Sequence, residues 1–136
     1  QSGSSSWYWG GVNSYANEAK INLLGVKAEL IETYGAVSTE VALAMAEGIL
    51  VQSSADWALS VTGIAGPSGG SEEKPVGTVC FGFASKKFES QSVQVNLTAY
   101  SRDIIRRRSA TVAFLLAQRY INGERLLDTV AKWQYS

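Results

Sequence analysis

The sequence contains no histidine among its 136 residues. Histidine is the base of Ser-His-Asp and Cys-His catalysis, so its absence excludes both of those mechanisms. It also excludes most zinc and non-haem iron sites, which depend on imidazole ligands. An enzyme built on this chain has to move protons with Lys, Tyr, Asp or Glu side chains. We predict no metal site and no cofactor.

Cysteine is nearly absent as well. Cys80 is the single cysteine, so no disulfide can form within the chain, which is typical of a reducing, cytoplasmic setting. No cationic residue stands next to Cys80, and this predicts a small buried or half-buried side chain rather than a nucleophile. No apolar run approaches the length of a membrane span, and residues 1–7 lack the pattern of a signal peptide. We therefore predict a cytoplasmic protein without a membrane partner.

An excess of charge of one sign is also missing. Twelve Lys and Arg residues balance twelve Asp and Glu residues, which gives a formal net charge of zero. A general nucleic-acid surface needs a clear basic excess, so no nucleic-acid partner is predicted. A hydrophobic content of 46% and a charged content of 18% are ordinary for a globular protein. The length suits a single domain, residues 1–136, with a real core.

A glycine-rich segment between two β-type runs is the most informative stretch, at residues 59–83, LSVTGIAGPSGGSEEKPVGTVCFGF. Glycine lets the backbone approach a ligand closely, and consecutive N–H groups in such turns form an anion-binding nest. The same composition fits a long hairpin connection rich in turn residues. A P-loop is excluded, because no Gly-Lys-Ser/Thr ending is present. The dinucleotide fingerprint is excluded too, because the segment leads into a strand.

Hydrophobic periodicity predicts the order of elements along the chain. An aromatic, β-rich strand at residues 6–16 opens the chain. Three helices, three strands, a long helix and a short last helix follow, at about 18–24, 27–34, 39–53, 56–64, 76–85, 88–97, 102–120 and 124–136. The last helix is expected to dock through Leu127 and Trp133. This order predicts a layered α/β or α+β domain with a mixed sheet.

Cationic side chains stand near the starts of two predicted helices. Lys20 follows Asn17, the predicted N-cap, where the positive end of the helix dipole disfavours a charged amine. A solvated surface lysine is the alternative. Arg102 and Arg106 are four residues apart, so they share a face near the start of the long helix. Free N–H groups and two guanidiniums together suit a phosphate or a carboxylate.

Several stretches together resemble the CinA C-terminal domain family: GSSSWYWGGVNSYANEAK, LLGV, YGAVSTEVALAMAEG, VTGIAGPSGGSEEKPVGTV and the arginine pair in SRDIIRRR. The resemblance covers residues 3 to about 117. It implies a three-layer α/β/α sandwich with a mixed sheet. It also implies a nicotinamide-mononucleotide deamidase, which hydrolyses the carboxamide of its substrate to nicotinic acid mononucleotide and ammonia. The implied chemistry uses a serine nucleophile and a lysine base, which fits a chain without histidine.

The resemblance assigns roles to individual residues. Lys20 matches the lysine base, whose pKa burial and the helix dipole would lower, and Tyr15 matches a neighbouring tyrosine that would assist proton transfer. The residues implied to bind the nucleotide substrate are Asn17, Thr62, Gly63, Gly66, Gly69, Gly70, Lys74, Arg102 and Arg106. Family members commonly have Gly-Asp before the first arginine, where this chain has Tyr100-Ser101. This departure bears on the geometry of Arg102 and on substrate preference.

The nucleophilic serine of the family lies in a Glu-Ser-Cys-Thr-Gly-Gly turn, which is expected before Gly3 and is not in this sequence. Ser2, Ser4, Ser5 and Ser6 have the wrong surroundings to replace it. We therefore expect an N-terminally incomplete family domain that is inactive alone. The alternatives are a non-catalytic nucleotide-binding or regulatory domain, and a structural interaction module that binds no mononucleotide. Apolar surface left by missing elements predicts a homo-oligomer.

Overall fold

The computed structural model describes residues 2–98 and 100–133. A 3-10 turn at Ser4–Ser6 precedes five helices and three strands within these residues: α1 (Asn17–Leu24), α2 (Ala28–Tyr34), α3 (Thr39–Gln52), β1 (Trp57–Gly63), β2 (Thr78–Ser85), β3 (Gln91–Asn96), α4 (Arg102–Ile121) and α5 (Leu126–Trp133). None of these helices has both the length and the apolar character that crossing a membrane requires.

The three strands form one sheet in the order β1–β2–β3. In β1, Ser60 lies opposite Gly82 of β2, and in β3, Val93 lies opposite Phe81 of β2. Both pairs are antiparallel, so the sheet of the described residues contains no parallel pair and differs in this respect from the mixed sheet that the sequence predicts. β2 is central and is buried on both faces over nearly its whole length, because helices cover both sides.

Helices lie on both faces of the sheet, which confirms the predicted three-layer α/β/α arrangement. The helix α3 packs against all three strands on one face, with α1 and α2 behind it, and α4 and α5 pack on the other face. Each helical layer has its own apolar core. The core around α1 to α3 contains Leu24, Val26, Ile31, Val41 and Met45. The core under α4 and α5 includes Phe81, Phe83, Ile105, Leu116, Tyr120 and Leu126.

The helix α3 approaches the sheet most closely at Gly82. A Cβ placed on Gly82 would lie 2.1 Å from the carbonyl oxygen of Ala42, so only glycine permits this distance. The Ser60 hydroxyl donates to the same carbonyl from β1. Ser38 caps α3, since its Oγ accepts from the backbone N–H of Val41 at 3.2 Å. The cap and the close approach together fix where α3 begins and how it lies on the sheet.

The predicted strand at residues 6–16 is wrong for this chain, because no strand occurs between the turn at Ser4–Ser6 and α1. The aromatic side chains of this segment face solvent, with Trp7 72% and Trp9 54% exposed. A strand needs a neighbouring strand to satisfy its backbone N–H and C=O groups. None of the described strands pairs with this segment. Aromatic β-propensity alone is therefore not sufficient to form a strand.

The predicted last helix exists as α5, but it docks through other residues than expected. Leu126 and Val130 are buried, whereas Leu127 and Trp133 are exposed. The reason is the starting point of the helix: its first residue, Leu126, is held by the Gln91 Oε1, which accepts from the Leu126 N–H at 2.8 Å. The side chain four residues on then shares the inward face. Residues 134–136 of the predicted helix lie outside the described residues.

Candidate functional site

The glycine loop, residues 64–77, connects β1 to β2 and contains no helix or strand. Hydrogen bonds close its base: Gly77 N donates to Ile64 O at 2.7 Å, and Ile64 N donates to Thr78 O at 2.9 Å. Because β1 and β2 are antiparallel, the loop is a long hairpin connection. Gly66 is buried, whereas Gly69 and Gly70 are exposed. The exposed glycines leave backbone groups within reach of a ligand.

The helix α4 contacts the glycine loop through Arg102. The guanidinium of Arg102 donates from one terminal nitrogen to Gly66 O at 2.6 Å. This bond uses one of the five N–H donors that a guanidinium carries. Ser101 is at the N-cap position of α4, but its hydroxyl makes no capping bond. The structure thus places the first arginine of the pair directly against the loop.

Arg106 lies beside a groove of about 330 Å³ between β1, the glycine loop and α4. Gly63, at the end of β1, lines the same groove. The rest of the wall is mostly apolar and consists of Val61, Ala65, Val79, Ile105, Ser109 and Ala110. A cation beside a mostly apolar groove suits a ligand that is anionic at one end and apolar at the other.

Lys20 is buried at the start of α1, with only 6% of its surface exposed. Its amine donates to Ser14 O at 2.8 Å and to Tyr15 O at 3.2 Å. Burial lowers the pKa of the Lys20 amine, because an ammonium group loses hydration there. The solvated surface lysine that the sequence also permits is therefore wrong. The two carbonyls fix the position of the amine.

Tyr15 and Asn17 do not share the buried position of Lys20. The ring of Tyr15 is in solvent, with the residue 91% exposed, and only its carbonyl contacts Lys20. Asn17 is the exposed first residue of α1, and Ala16 is at the N-cap position, without a side-chain capping bond. The predicted Asn17 cap is wrong by one residue, because the first helical hydrogen bond runs from Lys20 N to Ala16 O at 3.2 Å.

The connection between α2 and α3, residues 35–38, lies against the glycine loop from another side. Lys74 of the loop donates from its amine to Tyr34 O at the end of α2. Thr62, at the end of β1, donates from Oγ1 to Ala36 O at 2.9 Å. The sequence did not indicate Tyr34 and Ala36 as candidate site residues. Both accept hydrogen bonds through backbone carbonyls, which every residue possesses.

The predicted site residues fall into two groups. The group around the glycine loop contains Thr62, Gly63, Gly66, Gly69, Gly70, Lys74, Arg102 and Arg106. The group at the start of α1 contains Tyr15, Asn17 and Lys20. Sequence reasoning missed Ser109 and Ala110 as groove residues, although they follow Arg102 and Arg106 on the same face of α4 at helical spacing.

Cys80 is fully buried in the central strand, which confirms the prediction that its side chain is buried or half-buried. Burial raises the pKa of the Cys80 thiol to about 11, because the thiolate would lose its hydration. A thiol in this state is a poor nucleophile. Cys80 is therefore not a candidate nucleophile.

These features define a three-layer α/β/α domain. Lys20 is buried near the start of α1, and Arg102 at the start of α4 contacts the glycine loop. The profile of the family described as the CinA C-terminal domain matches residues 1–121. The chain belongs to the CinA C-terminal domain family. This membership confirms the family that the sequence motifs indicate.

Similar relatives are considerably longer than this chain. A CinA-like protein of Leptospira biflexa is 44% identical over 126 residues, which are 91% of this chain and 30% of the relative. A CinA-like protein of Mycobacterium tuberculosis is 51% identical over 121 residues, which are 89% of this chain and 28% of the relative. The chain therefore spans about a third or less of the curated relatives it matches.

Solved structures from Klebsiella pneumoniae and Agrobacterium tumefaciens are among those that resemble this chain. A competence damage-inducible protein A from Klebsiella pneumoniae has a TM-score of 0.82 and 30% identity, over 90% of this chain and 74% of that one. A competence/damage inducible protein from Agrobacterium tumefaciens has a TM-score of 0.72 and 42% identity, over 76% of this chain and 64% of that one. The α/β fold is thus shared with these two structures.

Proposed function

We propose that this chain supplies the lysine base and the nucleotide-binding loop of a nicotinamide-mononucleotide amidohydrolase, the activity that the family motifs imply. The observation that carries the proposal is the buried Lys20 amine, held by two backbone carbonyls, with a lowered pKa. A lowered pKa puts a larger fraction of the amine in the neutral form, and only the neutral form accepts a proton.

In the proposed reaction a serine hydroxyl, supplied by a segment that this sequence does not contain, attacks the carboxamide carbon. Lys20 accepts the hydroxyl proton and returns it to the leaving nitrogen, so that the C–N bond breaks and ammonia departs. Water then hydrolyses the ester, which releases nicotinic acid mononucleotide and restores the serine. The Ser14 and Tyr15 carbonyls orient the Lys20 amine throughout.

The other group of residues supports binding of the nucleotide end of the substrate. Arg102 lies against the glycine loop, and Arg106 lies beside the groove of about 330 Å³. Two guanidiniums near a helix N-terminus attract a phosphate group. The apolar wall of the groove suits the flat face of a ribosyl or pyridine ring. Together these features match an anionic mononucleotide.

Ammonia release by this chain joined to an upstream segment that carries a Glu-Ser-Cys-Thr-Gly-Gly turn tests the proposal. Lys20→Met should lower turnover by about 10²–10⁴-fold, the usual contribution of a general base. Lys27→Met is the matched control, since Lys27 is an exposed lysine before α2 and should leave turnover unchanged. Turnover near the wild-type value in Lys20→Met would remove Lys20 from the reaction.

A non-catalytic nucleotide-binding or regulatory domain is the second candidate. The observation that favours it is that the glycine loop with Arg102 and the groove beside Arg106 form a group that supports nucleotide binding and does not include Lys20. Binding of nicotinamide mononucleotide without ammonia release by the longer protein would support this candidate over the amidohydrolase.

A further inference from the structure

Lys74 lies at the C-terminal end of a helix that comes 40 residues earlier in the chain. Its amine donates to Tyr34 O, in the last residue of α2. The last carbonyls of a helix have no partner within the helix, and a cation there also complements the negative end of the helix dipole. A Cβ placed on Gly35 would lie 3.4 Å from the Lys74 amine. The amine therefore lies beside Gly35, the C-cap residue of α2.

A tight turn holds the backbone of Lys74 within the glycine loop. Ser71 N donates to Lys74 O at 2.9 Å, and Lys74 N donates to Ser71 Oγ at 3.1 Å. This turn fixes where the side chain leaves the loop. The bond to Tyr34 O therefore constrains the loop itself and not only a flexible lysine side chain.

The two limbs of the loop touch through Val76, two residues after Lys74. A Cβ on Gly66 would lie 2.6 Å from Val76 Cγ1, and a Cβ on Gly70 would lie 2.8 Å from Val76 N. These distances leave no space between the limbs. A shift of Lys74 would therefore move the limb that contains Gly66, which Arg102 contacts from the other side.

We propose that Lys74 is a positioning residue, which holds the glycine loop by its bond to the end of α2 and does not itself contact the nucleotide. Thr62 assists from the base of the loop through its bond to Ala36 O. The α2–α3 connection on one side and Arg102 on the other then set the distance between the loop and α4. The consequence for nucleotide affinity rests on the proposed function, whereas the effect on the loop does not.

Hydrogen exchange of the loop amides, measured on this chain without nucleotide, tests the effect on the loop directly. Lys74→Met should speed exchange at Ser71 and Gly77 about tenfold or more, since a charge-assisted bond is lost. Lys74→Arg should restore slow exchange, because a guanidinium can also reach a carbonyl. Exchange at Phe81 in the central strand should stay unchanged, which separates loosening of the loop from global destabilisation. Unchanged exchange at Ser71 and Gly77 in Lys74→Met would overturn the proposal.

Calorimetric titration with nicotinamide mononucleotide and with the riboside, which lacks the phosphate, supplies the second readout. Lys74→Met should weaken both ligands by a similar factor, and Lys74→Arg should restore both. Lys86→Met is the matched control, since Lys86 also reaches a carbonyl, Ser54 O at 3.5 Å, but away from the loop. A loss confined to the phosphorylated ligand, with unchanged exchange, would make Lys74 a phosphate contact and overturn the proposal. If the wild-type chain binds neither ligand, the proposed function fails and the exchange result still decides the role of Lys74.

Discussion

The glycine loop and the N-terminal arm, residues 2–16, are both almost free of regular secondary structure, yet they are held very differently. Hydrogen bonds attach the loop to β2 through Thr78, to α4 through Arg102 and to α2 through the Lys74–Tyr34 pair. In the arm, Trp7 is 72% exposed, and the bonds from the Lys20 amine hold only its last residues.

The difference shows that irregular backbone does not by itself mean loose backbone. Local stability depends on how many buried contacts and hydrogen bonds a segment makes with its surroundings. The loop lies between two helical layers that supply partners, whereas no described strand lies beside the arm. Substitutions of the same kind should therefore have larger effects in the loop than in the arm.

The largest effect is expected at the end of the loop. Gly77 has φ +99°, and a Cβ there would lie 2.5 Å from the carbonyl carbon and oxygen of Leu97. Gly77→Ala should lower the free energy of unfolding by about 3 kcal/mol, because left-handed strain adds to overlap with backbone. Gly3→Ala, at φ +82° with no atom within 4 Å, should cost about 1 kcal/mol or less. Urea unfolding of both variants measures the contrast, and equal losses would contradict it.

The next effect concerns the contact of the loop with α4. Arg102→Ala should weaken nicotinamide mononucleotide binding by about 1–3 kcal/mol, the range for a charge-assisted hydrogen bond. Arg107→Ala is the control on the same helix, since Arg107 pairs with Asp103 in solvent and should leave binding unchanged. Calorimetric titration of the two variants compares them. Equal affinities would place Arg102 outside the site.

A smaller, pH-dependent effect tests the attachment of the arm through the Lys20 amine. Burial lowers the pKa of Lys20 in the folded state below its unfolded value of about 10.4. Between those two pKa values the unfolded state binds more protons, so the free energy of unfolding rises with pH across that window. Urea unfolding should show this rise in wild type and in Lys27→Met, and a smaller rise in Lys20→Met. Identical pH profiles in wild type and Lys20→Met would mean that the pKa of Lys20 is not lowered.

The smallest effect is expected in the exposed part of the arm. Trp9 is 54% exposed, so Trp9→Ala should change the free energy of unfolding by no more than about 0.5 kcal/mol. Thermal or urea unfolding measures it. A loss of 2 kcal/mol or more would show that the arm is packed in solution and would remove the contrast with the loop.

Local signals in the sequence were sufficient for most elements of the fold. Hydrophobic periodicity predicted the helix α3 at about residues 39–53 and the strand β2 at about residues 76–85. The glycine segment and the spacing of Arg102 and Arg106 predicted one of the two groups of site residues. These features depend on neighbours close in sequence, which is why the sequence reveals them.

Contacts between segments that are distant in the sequence could not be predicted from local sequence signals. The bond from Lys74 to Tyr34 O joins residues 40 positions apart, and its acceptor is a backbone carbonyl that every residue possesses. The exposure of the Tyr15 ring and the absence of the predicted strand at residues 6–16 depend on which strands are available as neighbours.

The sequence by itself determined the family, the order of the helices and strands from α1 to α5, and the residue types available for catalysis without histidine. Only the tertiary structure decided that Lys20 is buried, that Arg102 meets the loop at Gly66, and that the arm stays unpaired. The physical reason is that propensity and periodicity act over a few residues. Desolvation and hydrogen-bond partnership instead depend on what the whole fold brings into contact.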